Sequence, residues 1–86
     1  MRIISKTKSH KISVVYYGET FVLRHPHKYI ATDKDGTIHS YSGVPLNDSQ
    51  FGELFSIWTV SEEDDCCDIG KADLQDTDWK DTLVKV

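Results

Sequence analysis

Four histidines, two cysteines and fourteen carboxylates are the side chains of this 86-residue chain most able to do chemistry. His25 and His27 lie two apart, so an extended chain projects both the same way. That spacing suits a metal, with His10 or His39 to complete the set. Yet the chain has no Cys-x-x-Cys and no His-x-x-x-His, the spacings that usually carry such sites. The simpler reading is two exposed histidines around the turn at Pro26. Cys66 and Cys67 are adjacent and sit beside Asp64, Asp65 and Asp68. Acidic neighbours raise a thiol pKa and oppose the reactive thiolate. Strand alternation should send one of these cysteines inward and the other outward. Asp33-Lys34-Asp35-Gly36 resembles the start of a calcium loop. It lacks the third ligand position and a closing bidentate Glu, which would fall within Tyr41 to Val44. No Gly-rich phosphate loop and no Gly-x-Ser-x-Gly occurs. A general acid or base needs an apolar pocket to tune it, and so short a chain has little bulk for one. The expectation is a non-enzymatic protein with no metal and no cofactor.

Charge is the stronger signal. Residues 1–61 sum to +2 and residues 62–86 to −6. Glu62, Glu63, Asp64, Asp65 and Asp68 form the densest acidic stretch and are the candidate partner-binding residues. They could dock on a basic protein surface, imitate nucleic-acid phosphates, or simply keep the chain in solution. A net charge of −4 is small for a dedicated DNA mimic. The alternative site is a face for single-stranded nucleic acid, with Tyr17, Tyr29 and Tyr41 stacking on bases beside Arg24 and Lys28. Lys6, Lys8 and Lys11 could extend it. Overall acidity counts against that reading, because phosphate contacts dominate such affinity.

The elements that must position these residues are short. Eighty-six residues make one domain, 1–86. A few large side chains must dominate so small a core: Tyr16, Phe21, Tyr29, Tyr41, Phe51, Phe55, Trp58 and Trp79, with Ile12, Val14, Leu23, Ile30, Ile38 and Ile57. No apolar run is long enough for a transmembrane helix, and no signal peptide is expected at the N-terminus. Two adjacent cysteines build no disulfide framework, which points to an intracellular chain with reduced thiols.

The clearest local signal is Tyr29 to Tyr41. Two β-branched and aromatic runs flank Asp-Lys-Asp-Gly, which predicts a hairpin with a three-residue loop. Asp33 should open the turn and accept a bond from its backbone, and Gly36 should supply the left-handed residue. The register pairs Tyr29 with Tyr41 and Thr32 with Ile38. Lys11–Tyr17 and Thr20–Arg24 predict a second hairpin around a Gly18-Glu19 turn, with Tyr16 facing Phe21 and Val14 facing Leu23. Further strands are expected at Arg2–Lys6, Leu54–Val60, Asp68–Leu74 with a bulge at Gly70, and Leu83–Val86. Asn47–Leu54 is compatible with a helical turn that Gly52 weakens. Asp76–Thr82 is compatible with one capped by Asp76 or Thr77 and anchored by Trp79. The predicted fold is mainly β: a small twisted antiparallel sheet or half-barrel of five to six strands, with one or two short helical turns.

Three segments carry a resemblance. Val15-Tyr16-Tyr17-Gly18-Glu19-Thr20-Phe21-Val22, the Tyr29–Tyr41 hairpin followed by Pro45, and the ending Asp78-Trp79-Lys80-Asp81-Thr82-Leu83 cover about a third of the chain. Together they resemble short uncharacterised accessory proteins of tailed bacteriophages. The resemblance implies a protein acting in the cytoplasm of an infected bacterium and transfers no active site. The expectation that follows is a binding protein that blocks or redirects a bacterial host enzyme or defence complex. The alternatives are a small β-barrel binding single-stranded nucleic acid, and a homo-oligomeric module (a homodimer, for example) paired through a strand such as Leu54–Val60.

Overall fold

The computed structural model describes residues 1–6, 11–24, 26–47 and 57–86. Its strands are β1 (Arg2–Lys6), β2 (Lys11–Tyr16), β3 (Glu19–Arg24), β4 (Tyr29–Thr32), β5 (Thr37–Tyr41), β6 (Leu46–Asn47), β7 (Trp58–Thr59), β8 (Cys66–Asp73) and β9 (Val84–Lys85). A single 3-10 turn, Trp79–Asp81, is the only helical element among the described residues. Among these residues no helix is long and apolar enough to cross a membrane.

The β4–β5 hairpin is central. Its ladder pairs Tyr29 with Tyr41 and Thr32 with Ile38, as the sequence predicts. Asp33 N donates to Thr37 O, and Gly36 N donates to Asp33 O, both at 2.9 Å. Gly36 takes φ +92, the left-handed conformation that a side chain disfavours. The turn's side-chain bond comes from Asp35, however, whose Oδ1 accepts Thr37 N at 2.8 Å. That bond holds the Asp35 carboxyl below its ordinary pKa. Asp33 is thereby free to point elsewhere.

Strands add on both sides in the order β1-β8-β5-β4-β9, all antiparallel, and the sheet curls into a half-barrel. β8 carries a bulge where Ile38 pairs with Gly70 but His39 pairs with Asp68, leaving Ile69 without a partner. The bulge thus falls beside Gly70, and it strengthens the local twist. β1 bulges at Ile4, which is pushed out to solvent.

Alternation along β4 and β5 gives the sheet two buried faces. On one, Tyr16, Phe21 and Leu23 of the β2–β3 hairpin cover Ile30, Ile38, Ile69 and Ala72. On the other, Trp58 and Trp79 pack over Ala31 and Tyr41. The two indoles meet edge to face at 6.0 Å. Burial of each large apolar side chain contributes about 1.5–3 kcal/mol, so two thin layers suffice for a domain this small. Val14, Tyr29 and Ile57 are half-buried rather than central. Ile69 joins the core although it is not among the expected residues, and so do Ala31 and Ala72, whose small size gives no signal. Phe51, Phe55 and the Ile12 side chain, expected in the core, lie outside the described residues.

The β2–β3 register differs from expectation. Val14 pairs with Phe21 and Tyr16 with Glu19. The turn is Tyr17-Gly18, with φ +49 and +80, rather than Gly18-Glu19. Positive φ at both central positions is the type I′ pattern, whose twist matches the strands it joins. Tyr17 accepts this conformation while its ring packs edge-on against Tyr16 at 4.9 Å. A shift of two residues leaves every side chain on its predicted face, so hydrophobic alternation does not select between the two registers.

The C-terminal turn also differs in its cap. Asp78, not Asp76 or Thr77, accepts from Lys80 N. Trp79 is buried as expected, and β9 closes on β4. The region proposed for a helical turn, Asn47–Leu54, lies outside the described residues beyond Asn47, as does the start of the strand predicted at Leu54–Val60.

Candidate functional site

Four side chains tie the hairpin, the sheet and the C-terminal turn together. Tyr16 Oη lies 2.8 Å from Thr32 Oγ1 and donates to Thr82 O at 2.9 Å. Thr32 N donates to Thr82 Oγ1 at 2.9 Å. Trp58 Nε1–H points at Thr32 O, 3.1 Å, and at Trp79 O, 3.3 Å. Tyr16, Thr32 and Thr82 are sealed from water, and burial pushes the Tyr16 hydroxyl up to about 12. This network ties the β2–β3 hairpin, β4 and the C-terminal turn to one another.

Beside it lies a carboxylate–imidazole pair. Asp33 is only 5% exposed. Its Oδ1 accepts Trp58 N at 2.8 Å, and its Oδ2 lies 3.5 Å from His39 Nδ1. That separation is a close charge contact rather than a well-formed hydrogen bond. Asp33, as acceptor and as charge, raises the His39 pKa, with smaller pushes from Asp68 and Asp35; burial opposes them. Tyr41 packs 6.0 Å from His39. Its hydroxyl is buried without a partner among the described residues, and burial keeps it protonated by raising its pKa.

A second imidazole pair lies on the other face of β5. His27 Nδ1 is 2.7 Å from Ser40 Oγ. His27 is 1% exposed and Ser40 fully buried, so the expected exposure of His27 does not hold. Pro26 turns the chain, His27 N bonds Arg24 O, and the ring enters the interior. Burial lowers its pKa, which favours the neutral ring. A Ser–His pair of this kind resembles half of a hydrolase triad, but both side chains are buried. His25 and His10 lie outside the described residues. Among the described residues no three His, Cys, Asp or Glu side chains gather as a metal would need.

The cysteines divide as alternation requires. Cys66 is exposed and Cys67 half-buried against the core. Burial of its sulfur, then the neighbouring groups Cys67, Asp65 and Asp33, raises the Cys66 pKa. The thiol is not activated.

The acidic residues form a built turn. Asp64 N bonds Ser61 O at 3.0 Å. The Asp64 carboxylate accepts from Ser61 Oγ, 3.1 Å, and from Ser42 Oγ, 3.3 Å. Ser42 Oγ in turn accepts Asp65 N at 2.8 Å, and Ser42 N donates to Asp65 O at 3.0 Å. The carboxylate lies against the open face of Gly43, in space a Cβ would fill. Asp64 is therefore the half-buried anchor, while Glu62, Glu63 and Asp65 face solvent. Asp68 is exposed too, and its Oδ1 caps Gly70 N at 3.2 Å. Val44 and Leu46 follow directly from the Ser42–Gly43 bend that Asp64 holds, each 56% exposed. Sequence reasoning missed these two apolar residues. Their place beside Pro45 in a polar loop is the signal that was present. The nearby aromatic side chains Tyr41 and Trp58 are buried.

Of the alternative nucleic-acid set, Tyr29 pairs with Tyr41 across the β4–β5 ladder, and Lys28 N donates to Tyr41 O at 2.9 Å. Tyr17, Arg24 and Lys28 are exposed and Tyr29 half-buried. Tyr41 is 2% exposed and offers no ring face to a base. A groove of about 440 Å³ lies between Lys34–Gly36 and Ala72–Gln75 and contains none of the predicted site residues.

No family model, no curated protein and no solved structure matches the chain.

Proposed function

We propose that this chain is a small non-enzymatic binding protein that uses the turn Glu62–Asp65, with Val44 and Leu46 beside it, to occlude a basic surface on another protein. The observation that carries the reading is the turn's fixed shape. Asp64 spends its own charge on Ser42 and Ser61, and so holds Glu62, Glu63 and Asp65 outward on a short, braced loop. A preorganised loop loses less entropy on binding than a free one. Exposed carboxylates beside two exposed aliphatic side chains suit a partner with an apolar patch ringed by Lys or Arg. Charge would speed the encounter and select the partner, and the aliphatic pair would add buried area. The likeness of three segments to tailed-phage accessory proteins supports the setting: the cytoplasm of an infected bacterium, and a host enzyme or defence complex as the target that is blocked or redirected.

The test is a tagged chain expressed in a bacterial host and compared with the triple variant Glu62→Ser, Glu63→Ser, Asp65→Ser. Asp64 stays, because it holds the loop. One host protein should co-purify with the wild type, bind the purified chain directly, and lose affinity for the variant. Equal binding by the variant would remove the acidic turn from the reading. Recovery of nucleic acid instead would move attention to Tyr17, Arg24 and Lys28. A purely self-associating chain, seen by sedimentation across concentrations, would favour a homo-oligomeric module.

A further inference from the structure

Asp33 is the point where three elements meet. It directly follows β4, accepts the backbone N–H of Trp58 on β7 through one oxygen, and faces His39 on β5 through the other. A buried carboxylate whose one donor among the described residues is a neutral N–H is poorly compensated. A cationic ring at its second oxygen changes that balance. We propose that Asp33 and His39 form a proton-operated latch that seats β7 on the sheet: with His39 protonated the carboxylate is held and grips Trp58 N–H, and with His39 neutral the grip loosens. The latch does not depend on the partner proposed above.

The other groups around His39 act in the same sense or stay silent. Asp68 lies opposite it in the β5–β8 ladder, and Asp35 approaches from the turn; both favour the charged ring. Tyr41 remains neutral, and Cys66 opposite it has a raised pKa. Lys71, the neighbouring cation, is occupied with Thr37 Oγ1 at 2.8 Å and bears on Asp35. From β7 the contact is Trp58 itself, which carries no titrating group. The sign follows. The folded-state pKa of His39 lies above its ordinary value, so the stabilisation is complete below that ordinary value, about 6.5. It is lost as pH rises through the raised folded value.

β7 pairs with β6 through Leu46–Thr59 and Asn47–Trp58. The Trp58 indole keeps its own bonds to Thr32 O and Trp79 O. Release therefore loosens the backbone of the β6–β7 pair, where Leu46 is displayed, without unfolding the core. A latch that raises the His39 pKa by one unit corresponds to about a tenfold change in the closed-to-open ratio.

The experiment is amide hydrogen exchange and histidine NMR on the intact chain across pH, with exchange normalised to the intrinsic rate. Protection at Trp58 N–H should fall about tenfold per unit of His39 pKa elevation, with the same midpoint as the His39 ring. In Asp33→Asn, His39 should titrate near its ordinary value. In His39→Gln, Trp58 protection should be independent of pH. If either variant fails to fold, the wild-type comparison still decides. Constant Trp58 protection while His39 titrates would overturn the latch, as would a His39 pKa that is not raised.

Discussion

Trp58 donates its backbone N–H to Oδ1 of Asp33 at 2.8 Å, across 25 residues of chain. The bond joins the end of the central hairpin to a strand of the second small sheet. It also explains why a turn aspartate is buried. Replacing Asp33 by Ala leaves the Trp58 donor unsatisfied in the interior, a loss of about 1–3 kcal/mol. Asn keeps an acceptor oxygen for Trp58 and should lose less. Urea titration of the two variants checks the order Asp33→Asn above Asp33→Ala. Equal stability of Ala and wild type would show that the bond contributes nothing.

The two left-handed glycines should respond differently to a methyl group. At Gly36 a Cβ would stand 2.2 Å from Ala72 O, while at Gly18 nothing lies within 4 Å. The left-handed conformation alone costs a non-glycine residue about 1–2 kcal/mol. Gly18→Ala should lose only that. Gly36→Ala adds a collision with the β8 backbone, where Ala72 N also donates to Gly36 O at 2.8 Å. Thermal unfolding should place Gly36→Ala well below Gly18→Ala. Equal midpoints would mean that β8 moves aside freely.

The contrast between Asp33 and Gly36 also marks the limit of what the sequence reveals. The central hairpin was legible because turn chemistry and alternation agree on one register. Gly36 was legible because a left-handed position restricts residue type locally. Asp33 was not, since a turn explains an aspartate fully and its true partner lies 25 residues away. The β2–β3 register was half legible. Alternation fixes the buried face of Tyr16, Phe21 and Leu23 but is blind to a two-residue slip, and the left-handed Tyr17 has no signature in its residue type. In the acidic turn the exposed charges were legible as a group. The different role of Asp64 was not, because it depends on Ser42, 22 residues earlier.

Tyr16 predicts the alkaline limit of the fold. Its hydroxyl is pushed up to about 12 by burial, and Tyr41 is raised as well. A raised folded pKa means that the folded state holds the proton more tightly. Stability is then complete below the ordinary tyrosine value, about 10, and is lost as pH rises toward the folded value. Unfolding between about pH 10 and 12 should accompany the ionisation of these two rings, followed by tyrosinate absorbance and circular dichroism together. Tyr16→Phe strands Thr32 and Thr82 groups and should cost about 1–2 kcal/mol at neutral pH. Ionisation of both rings with the fold intact would contradict the sealed network.

Gly43 separates shape from charge in the acidic turn. A Cβ there would stand 2.2 Å from Asp64 Oδ2, so Gly43→Ala must displace the carboxylate that braces Ser42 and Ser61. The substitution removes no charge and touches none of Glu62, Glu63 or Asp65. If the partner reads charge alone, affinity and its salt dependence stay as in the wild type. If the partner reads a fixed loop, affinity falls while the salt dependence is retained, because the same carboxylates still meet the same basic surface. The proposed function requires the second outcome, with a faster off-rate, since a loosened loop must be ordered again at each binding event. Surface plasmon resonance at two ionic strengths distinguishes the cases. An unchanged off-rate would show that the bracing by Asp64 serves the fold and not the partner.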